Sequence, residues 1–158
     1  WRFACRFWES SAARDACLGL QDRGWSVTRI LCAAWLTTSG NVLPGTESAQ
    51  VTAWRRQVTE PLRSAKKTIT KNDPGTAIVR ECIARSELEA ERVELALAYQ
   101  ALVSNKHTGS GEATMANLAL SNLLAAAPEK TMDNETGSLL DILTRELSTL
   151  VEGDNKPC

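Results

Sequence analysis

The chain has 158 residues, a formal net charge of −1, 43% hydrophobic residues and 23% charged residues. These values are those of an ordinary globular protein, and they exclude an intrinsically disordered chain. The longest uncharged apolar run, Ile30 to Leu36, is far shorter than the roughly 18 residues that a membrane-spanning helix needs, so we expect no membrane span.

The length predicts a single domain, which we place at residues 1–152, followed by a frayed tail at residues 153–158. Charge is unevenly distributed along this chain. Residues 1–75 carry 11 Lys and Arg against 6 Asp and Glu, a net +5, whereas residues 76–158 carry 7 against 13, a net −6. Such asymmetry indicates either a partner-binding patch or two halves with complementary surfaces.

The N-terminal third predicts three short helices. The aromatic segment Trp1 to Trp8 is the first, and Ser10-Ser11 ends it. Two runs with helical periodicity then meet at a turn within Ala12 to Leu36 and predict an αα-hairpin. In that turn, Gly24 suits the left-handed residue that ends a helix, and Ser26 suits the cap that begins the next. The two apolar stripes are formed by Ala13, Ala16, Cys17 and Leu20, and by Val27, Ile30, Leu31, Ala34 and Trp35.

A basic helix follows the hairpin. Apolar residues recur every three to four positions from Glu47 to Ile69, which is the period of a helix. Pro61 lies inside this run, so we expect a kink or a break near Thr59-Glu60. The opposite face is cationic and carries Arg55, Arg56, Arg63, Lys66, Lys67 and Lys71.

A long helix is expected from Thr76 to Asn105, and we interpret it as the central helix of the bundle. Two adjacent apolar stripes predict a wide buried face. They are formed by Val79, Ile83, Ala90, Val93 and Leu97, and by Leu88, Leu95, Tyr99 and Leu102.

Two further helices complete the chain, one over Met115 to Ala127 and one that opens at Ser138 and ends at Gly153. We expect a loop over residues 129–137 between them. The predicted fold class is therefore all-α: a single-domain bundle of six to eight helices around an N-terminal αα-hairpin and one long central helix.

The sequence contains no recognisable catalytic constellation. Glu87, Glu91 and Glu94 lie on one side of a helix, but a di-metal bundle requires Glu-x-x-His pairs from facing helices. The single histidine, His107, lies in a Gly- and Ser-rich loop at residues 105–111. We therefore expect no metal, no cofactor and no catalytic residue, and we favour a non-enzymatic protein.

The five cysteines show no metal-binding spacing. Cys17, Cys32 and Cys82 lie on or beside apolar helix faces, where a free cysteine behaves as a small hydrophobic residue. The N-terminal segment also lacks the apolar stretch of a secretory signal. This cysteine usage indicates a reducing, cytoplasmic compartment, and a disulfide between Cys5 and Cys17 is the less favoured alternative.

The basic helix face supplies the first candidate site. Its six cations within 17 residues can contact phosphates or an acidic protein. The alternative is that they pair with Glu87 to Glu94 of the next helix, because helices joined by a short loop usually pack antiparallel. The candidate partner-binding residues on this face are Arg55, Arg56, Arg63, Lys66 and Lys67.

The polar rim of the hairpin turn supplies the second candidate site, formed by Gln21, Asp22, Trp25 and Arg29. Trp25 either packs the turn onto the core, which we favour, or anchors a partner. The other four tryptophans fall on predicted buried helix faces: Trp1, Trp8, Trp35 and Trp54.

Several segments carry a family resemblance in combination. They are W-R-F at residues 1–3, A-C-L-G-L-Q-D at 16–22, V-T-R-I-L at 27–31, W-R-R-Q-V-T-E-P-L-R at 54–63 and S-E-L-E-A-E-R-V-E at 86–94. In this order they resemble an uncharacterised bacterial family, the domain of unknown function 2390, over about residues 1–100. The chain departs from the family's D-V-N turn, with Ser26 and Thr28 at those positions. The resemblance implies an all-helical, bacterial, cytoplasmic protein, and it brings no catalytic residue, cofactor or partner.

We interpret the chain as a protein-interaction or adaptor domain, with an acidic protein as the favoured partner. One alternative is nucleic-acid or other anion binding through residues 55–71, which the net charge of −1 disfavours. Another is a small-ligand-binding or enzymatic bundle with a pocket lined by Trp and Cys. The sequence specifies no oligomeric state.

Overall fold

The computed structural model describes residues 1–104, 114–128 and 133–154, and the regular structure of these residues is helical. The all-α prediction is therefore confirmed. None of the helices in these three ranges combines the length and the hydropathy that crossing a bilayer requires. In chain order the elements are α1 (Arg2–Glu9), α2 (Ser11–Asp22), α3 (Val27–Thr38), α4 (Ala49–Trp54), a π-helical turn (Arg55–Thr59), α5 (Glu60–Thr68), α6 (Ala77–Ser104), α7 (Met115–Ala125) and α8 (Asn134–Asp154).

The chain divides into two compact units. The hairpin unit consists of Trp1–Gly45 and Lys106–Cys158, and the α6 unit consists of Thr46–Asn105. The prediction of a single domain over residues 1–152 stays a prediction. The loop around His107 and residues 155–158 of the tail lie outside the described residues.

The αα-hairpin of α2 and α3 forms through the caps that its sequence predicts. Gly24 has a φ of 90°, and the N–H of Trp25 donates to the carbonyl of Leu20 over 3.1 Å, which closes α2 with a Schellman motif. The Ser26 hydroxyl accepts from the N–H of Arg29 over 3.3 Å and caps α3. Local sequence is therefore sufficient to place this turn.

The core of the hairpin unit lies where α2 packs on α8, α3 packs on α7, and α7 packs on α8. Gly19 permits a close approach between α2 and α8, because a Cβ there would lie 3.1 Å from Cδ1 of Leu139. The largest apolar side chains in this core are almost completely buried: Phe7, Leu20, Ile30, Leu123, Leu140, Leu143 and Leu147.

A buried polar network joins α7 to the end of α3. Nδ2 of Asn122 donates to the Thr37 hydroxyl over 3.0 Å and to the carbonyl of Asn41 over 2.9 Å. Its Oδ1 accepts from the N–H of Leu43 over 2.8 Å. The side chains of Asn122 and Thr37 have no exposed surface, so these hydrogen bonds take the place of those that water would otherwise make to them.

The start of α8 differs from the prediction. The helix begins at Asn134 rather than Ser138, because Asp133 accepts from the N–H of Thr136 over 2.7 Å and acts as the cap. Hydrogen bonds from the side chain and from the backbone N–H of Thr136 lower the pKa of the Asp133 carboxyl. The predicted loop over residues 129–137 is therefore wrong from Asn134 to Gly137, which belong to α8.

The tryptophans are distributed differently from the prediction. Trp1 is 54% exposed, so its predicted burial is wrong, whereas Trp25 in the hairpin turn is only 5% exposed, in agreement with the favoured packing of this residue onto the core. Trp8, Trp35 and Trp54 are half-buried. The face of α1 that turns inward carries Ala4 and Phe7.

In the α6 unit, α6 packs against α4, the π-helical turn and α5. Pro61 is accommodated by that π-helical turn, in which the N–H of Glu60 donates to the carbonyl of Arg55 five residues earlier. The wider turn places Pro61 in the first turn of α5, where a residue without a backbone N–H is tolerated. The helical run therefore changes register at Thr59-Glu60.

The two apolar stripes of α6 are the main error of the sequence prediction. Val79, Leu88, Val93 and Tyr99 are 41–53% exposed. Of the predicted stripe residues α6 buries Ala90, and its other buried residues are Glu87, Glu94 and Ala98. The helix therefore turns carboxylates and small side chains inward and directs several large apolar side chains to solvent.

We expect Asn122→Leu to lower the free energy of unfolding by about 2–4 kcal/mol, because it leaves the buried N–H of Leu43 without a partner and removes the hydrogen bonds to Thr37 and Asn41. Urea unfolding followed by far-ultraviolet circular dichroism measures this change. Asn117→Leu, on the exposed side of α7, is the matched control and should change the value by less than about 0.5 kcal/mol. Equal effects of the two substitutions would contradict the structural role of the network.

Candidate functional site

The inner face of α6 carries the first of two ion-pair clusters, centred on Arg55. Nη1 and Nη2 of Arg55 bind the two carboxylate oxygens of Glu47 over 2.5 and 2.7 Å. Nε of Arg55 donates to Oε1 of Glu94 over 2.7 Å. The Glu94 side chain is only 2% exposed. One guanidinium therefore neutralises two carboxylates, one of them almost completely buried.

The protonation state of Arg55 follows from this geometry. Burial acts to lower the pKa of the guanidinium, whereas hydrogen bonds and charge from Glu47 and Glu94 act to raise it. The carboxylates dominate, and the pKa of Arg55 lies above its ordinary value. Arg55 therefore stays charged wherever the helices are folded.

The second cluster lies two turns earlier along α6. Nε of Arg63 donates to Oε1 of Glu87 over 3.1 Å, and its Nη2 donates to Oε1 of Glu91 over 2.9 Å. Lys66 forms a further ion pair with Glu87, whose side chain is 6% exposed. Burial raises the pKa of the Glu91 carboxyl, and the hydrogen bond from Arg63 opposes this shift without cancelling it.

Hydrogen bonds from side chains to backbone carbonyls also join α4 and α5 to α6. Nε1 of Trp54 donates to the carbonyl of Ala90 over 3.0 Å. Nη1 of Arg80 donates to the carbonyls of Lys66 and Ile69 over 2.5 and 2.7 Å, which satisfies the C-terminal end of α5. Both clusters are therefore held within a fixed set of helix–helix contacts.

The five candidate cations separate into two groups. Arg55, Arg63 and Lys66 are engaged by the carboxylates of Glu47, Glu87, Glu91 and Glu94. Arg56 and Lys67 are exposed, as is Lys71. The alternative interpretation, in which these cations pair with the Glu87 to Glu94 segment of the next helix, therefore holds for Arg55, Arg63 and Lys66.

The four candidate residues of the hairpin turn belong to the hairpin unit. Trp25 is buried, Gln21 is half-buried and Asp22 is exposed. Nη2 of Arg29 donates to the carbonyl of Ala125 over 2.6 Å and so provides a hydrogen-bond donor to the last carbonyl of α7. Burial and capping thus account for Trp25 and Arg29 by contacts within their own unit.

The sequence reasoning missed the outer face of α6, which presents large apolar side chains to solvent. The sequence contains a signal for an inward-facing row of carboxylates. Glu87, Glu91 and Glu94 recur with the spacing of a buried helical stripe, and the preceding helix carries cations at similar intervals. Complementary charge, and not apolar periodicity, identifies the inner face. The exposed residues are Ile78 at 77%, Val79 and Tyr99 at 53%, Val103 at 48%, Leu88 at 47% and Val93 at 41%.

No group of three or more His, Cys, Asp and Glu side chains within residues 1–104, 114–128 and 133–154 is placed to hold a metal ion. The free thiol of Cys17 is buried, and burial raises its pKa to about 12. Cys32 is also buried, whereas Cys5 and Cys82 are exposed, so the predicted apolar position of Cys82 is wrong. A protonated, enclosed thiol such as Cys17 is chemically inert.

A family model described as "Protein of unknown function (DUF2390)" matches residues 1–97. The chain belongs to this family. The resemblance over about residues 1–100 is thus confirmed, and the DUF2390 match includes every residue of both ion-pair clusters. No curated protein and no solved structure matches the chain at a significant level.

We expect Arg55→Met to lower the free energy of unfolding by about 3 kcal/mol, because Glu94 then remains buried without a counter-charge. The neighbouring Arg56→Met is the matched control, since Arg56 is exposed, and its effect should stay below about 0.5 kcal/mol. Urea unfolding measures both values. A small effect of Arg55→Met would show that the Arg55 cluster does not stabilise the unit.

The raised pKa of Glu91 predicts a pH dependence of stability. Folded protein binds the Glu91 proton more tightly than unfolded protein does, so the contribution of this residue is complete below its ordinary pKa of 4.5. It is then lost as the pH rises through the folded value. The unfolding free energy of the wild type minus that of Glu91→Gln should therefore decrease with pH in this window.

Titration of the Glu91 carboxyl by nuclear magnetic resonance gives the same quantity directly. The expected midpoint lies above 4.5. A midpoint below that value would mean that Arg63 outweighs burial at this position, and the stability difference should then rise with pH instead.

Proposed function

We propose that this protein is a protein-interaction domain whose binding surface is the outer face of α6. The exposure of Ile78, Leu88 and Tyr99 on one long helix is the observation that supports this proposal. Isolated apolar residues are normal on protein surfaces, but a row of them along one helix is typical of a binding site. The proposal keeps the interaction role that the sequence suggests and moves its surface from the basic face to α6.

The packing of the α6 unit supports the same proposal. Within its described residues, 46–104, the buried apolar side chains are those of Val51, Ala90 and Ala98, and two of these three are alanines. A unit of this size normally needs further burial, a cross-link or association to be stable. Each large apolar side chain that a partner covers contributes about 1.5–3 kcal/mol.

The chemistry of the surface indicates the kind of partner. The outer face is a single helix with apolar residues interspersed with Arg85, Glu89 and Arg92. Such a face fits an amphipathic helix of a partner protein, which supplies apolar side chains and complementary charges. Nucleic-acid binding is not favoured, since three of the five candidate cations already pair with carboxylates.

The cytoplasm is the location that we propose for this interaction. The free and buried thiol of Cys17 supports a reducing compartment, because this cysteine is not engaged in a disulfide.

Site-specific photo-crosslinking in cells tests the interaction role. A photoreactive amino acid at Leu88 should form covalent adducts with protein, because this position lies on the proposed surface. Leu18 of α2 is the matched control, since its exposure of 43% is close to the 47% of Leu88. Adduct yields at Leu88 that do not exceed those at Leu18 would contradict the proposed surface.

A further inference from the structure

Two pairs of inward-facing residues lie eight positions apart in the helical run of residues 49–68, which consists of α4, the π-helical turn and α5. Arg55 and Arg63 both bind carboxylates of α6. Val51 and Thr59 are both only 1% exposed. In a regular α-helix, residues eight positions apart point about 80° away from each other, because each residue turns the helix by about 100°. A regular α-helix therefore cannot turn both members of either pair fully toward α6.

The π-helical turn removes this angular difference. In this turn the N–H of Glu60 donates to the carbonyl of Arg55 five residues earlier, so the turn contains one residue more than a turn of α-helix. The extra residue takes up about 100° of rotation. Residues eight positions apart across the turn therefore point in nearly the same direction, as residues seven apart do in a regular helix.

The carboxylates on α6 have the regular spacing. Nε of Arg55 binds Glu94 and Nε of Arg63 binds Glu87, and these two carboxylates are seven residues apart in the sequence. Seven residues are close to two full turns of α-helix, so both carboxylates lie on one side of α6. Eight residues of one helical run are thus matched to seven residues of α6, and the π-helical turn contains the difference.

We infer that the π-helical turn is a conformational device that sets the register of residues 49–68 against α6 and thereby keeps Leu88 at the surface. Leu88 follows Glu87 directly, so a rotation of α6 by one residue would exchange their positions. Simultaneous binding by Arg55 and Arg63 opposes this rotation, and the extra residue of the turn is what allows both to bind. The inference concerns how the surface is presented, and it does not depend on which partner covers it.

Local hydrogen bonding does not select this register. The buried hydroxyl of Thr59 has no hydrogen-bond partner among the residues that the structure describes, which is unfavourable. Pro61 acts against the regular alternative, because in a continuous α-helix its ring would clash with the carbonyl of Gln57, four residues earlier. The ion pairs with α6 therefore favour the π-helical turn, and Pro61 disfavours the helix in which Arg63 would turn away from α6.

Deletion of a single residue from the full-length chain tests the register. The deletions are made in Pro61→Ala, because a proline at this position would interrupt a regular helix. Deletion of Gln57, which is exposed, leaves Arg55 and Arg63 seven residues apart in an uninterrupted α-helix. The N–H of Glu60 and the carbonyl of Arg55 then form an ordinary α-helical hydrogen bond between residues four apart. Both ion-pair clusters should therefore persist.

Deletion of Val93 from α6 is the matched control, since Val93 is 41% exposed and lies between Glu87 and Glu94. It leaves the two carboxylates six residues apart, a change that no turn of α6 compensates. Relative to Pro61→Ala, deletion of Gln57 should change the equilibrium constant of unfolding by less than about threefold. Deletion of Val93 should raise this constant at least about a hundredfold, because one buried carboxylate loses its counter-charge. Urea unfolding measures both changes.

Nuclear magnetic resonance detects the turn through the scalar coupling across its hydrogen bond, from the amide nitrogen of Glu60 to the carbonyl carbon of Arg55. This coupling should be present in the wild type, in Pro61→Ala and after deletion of Gln57. A coupling of Glu60 to Arg56 in Pro61→Ala would show that the ion pairs do not hold the turn, and it would overturn the inference. Deletion of Gln57 that destabilises the protein as much as deletion of Val93, or small effects of both, would overturn it as well.

Discussion

The orientation of α6 depends on the ion pairs between its carboxylates and the cations of the preceding helices. Glu94 and Glu87 have side chains only 2% and 6% exposed, and each meets a guanidinium. A buried carboxylate without a partner costs several kcal/mol. Rotating α6 to bring its leucines inward would leave Arg55 and Arg63 facing apolar side chains and expose their partners. Charge therefore fixes the rotation of this helix.

This constraint has a consequence for the distribution of apolar residues. Ion pairs with good geometry compensate for their own desolvation but add little net stability. The inner face of α6 otherwise carries Ala90 and Ala98, small residues that let the helices approach closely, and the Trp54 hydrogen bond to Ala90 depends on this approach. Because ion pairs occupy much of the inner face of α6, the apolar core of the α6 unit is small. Several large apolar side chains of α6 are exposed to solvent instead.

The features that the sequence predicts correctly are local ones. Gly24 and Ser26 end and begin helices through hydrogen bonds to residues at most five positions away, so a short window contains all the necessary information. The same holds for Pro61, which disturbs the helix where expected, although the chain responds with a π-helical turn rather than a break. The family resemblance over the first 100 residues rests on such local segments too.

The inward face of α6 is not a local property. Its apolar residues and its carboxylates both recur with helical period, so periodicity alone permits more than one inner face, and the apolar one is the ordinary choice. Arg55 and Arg63 determine which face of α6 turns inward, and they lie 39 and 24 residues before the carboxylates they bind.

The two faces of α6 use charge in different ways. On the inner face, Glu87 and Glu94 attract cations and select one rotation of the helix. On the outer face, Arg85 and Arg92 are exposed among apolar side chains, and Arg92 pairs with Glu89 three residues earlier. Apolar area determines how strongly such a face binds, whereas its few charges determine what it binds. The inner face of α6 therefore holds its own unit together, and the outer face presents the surface that we propose for a partner.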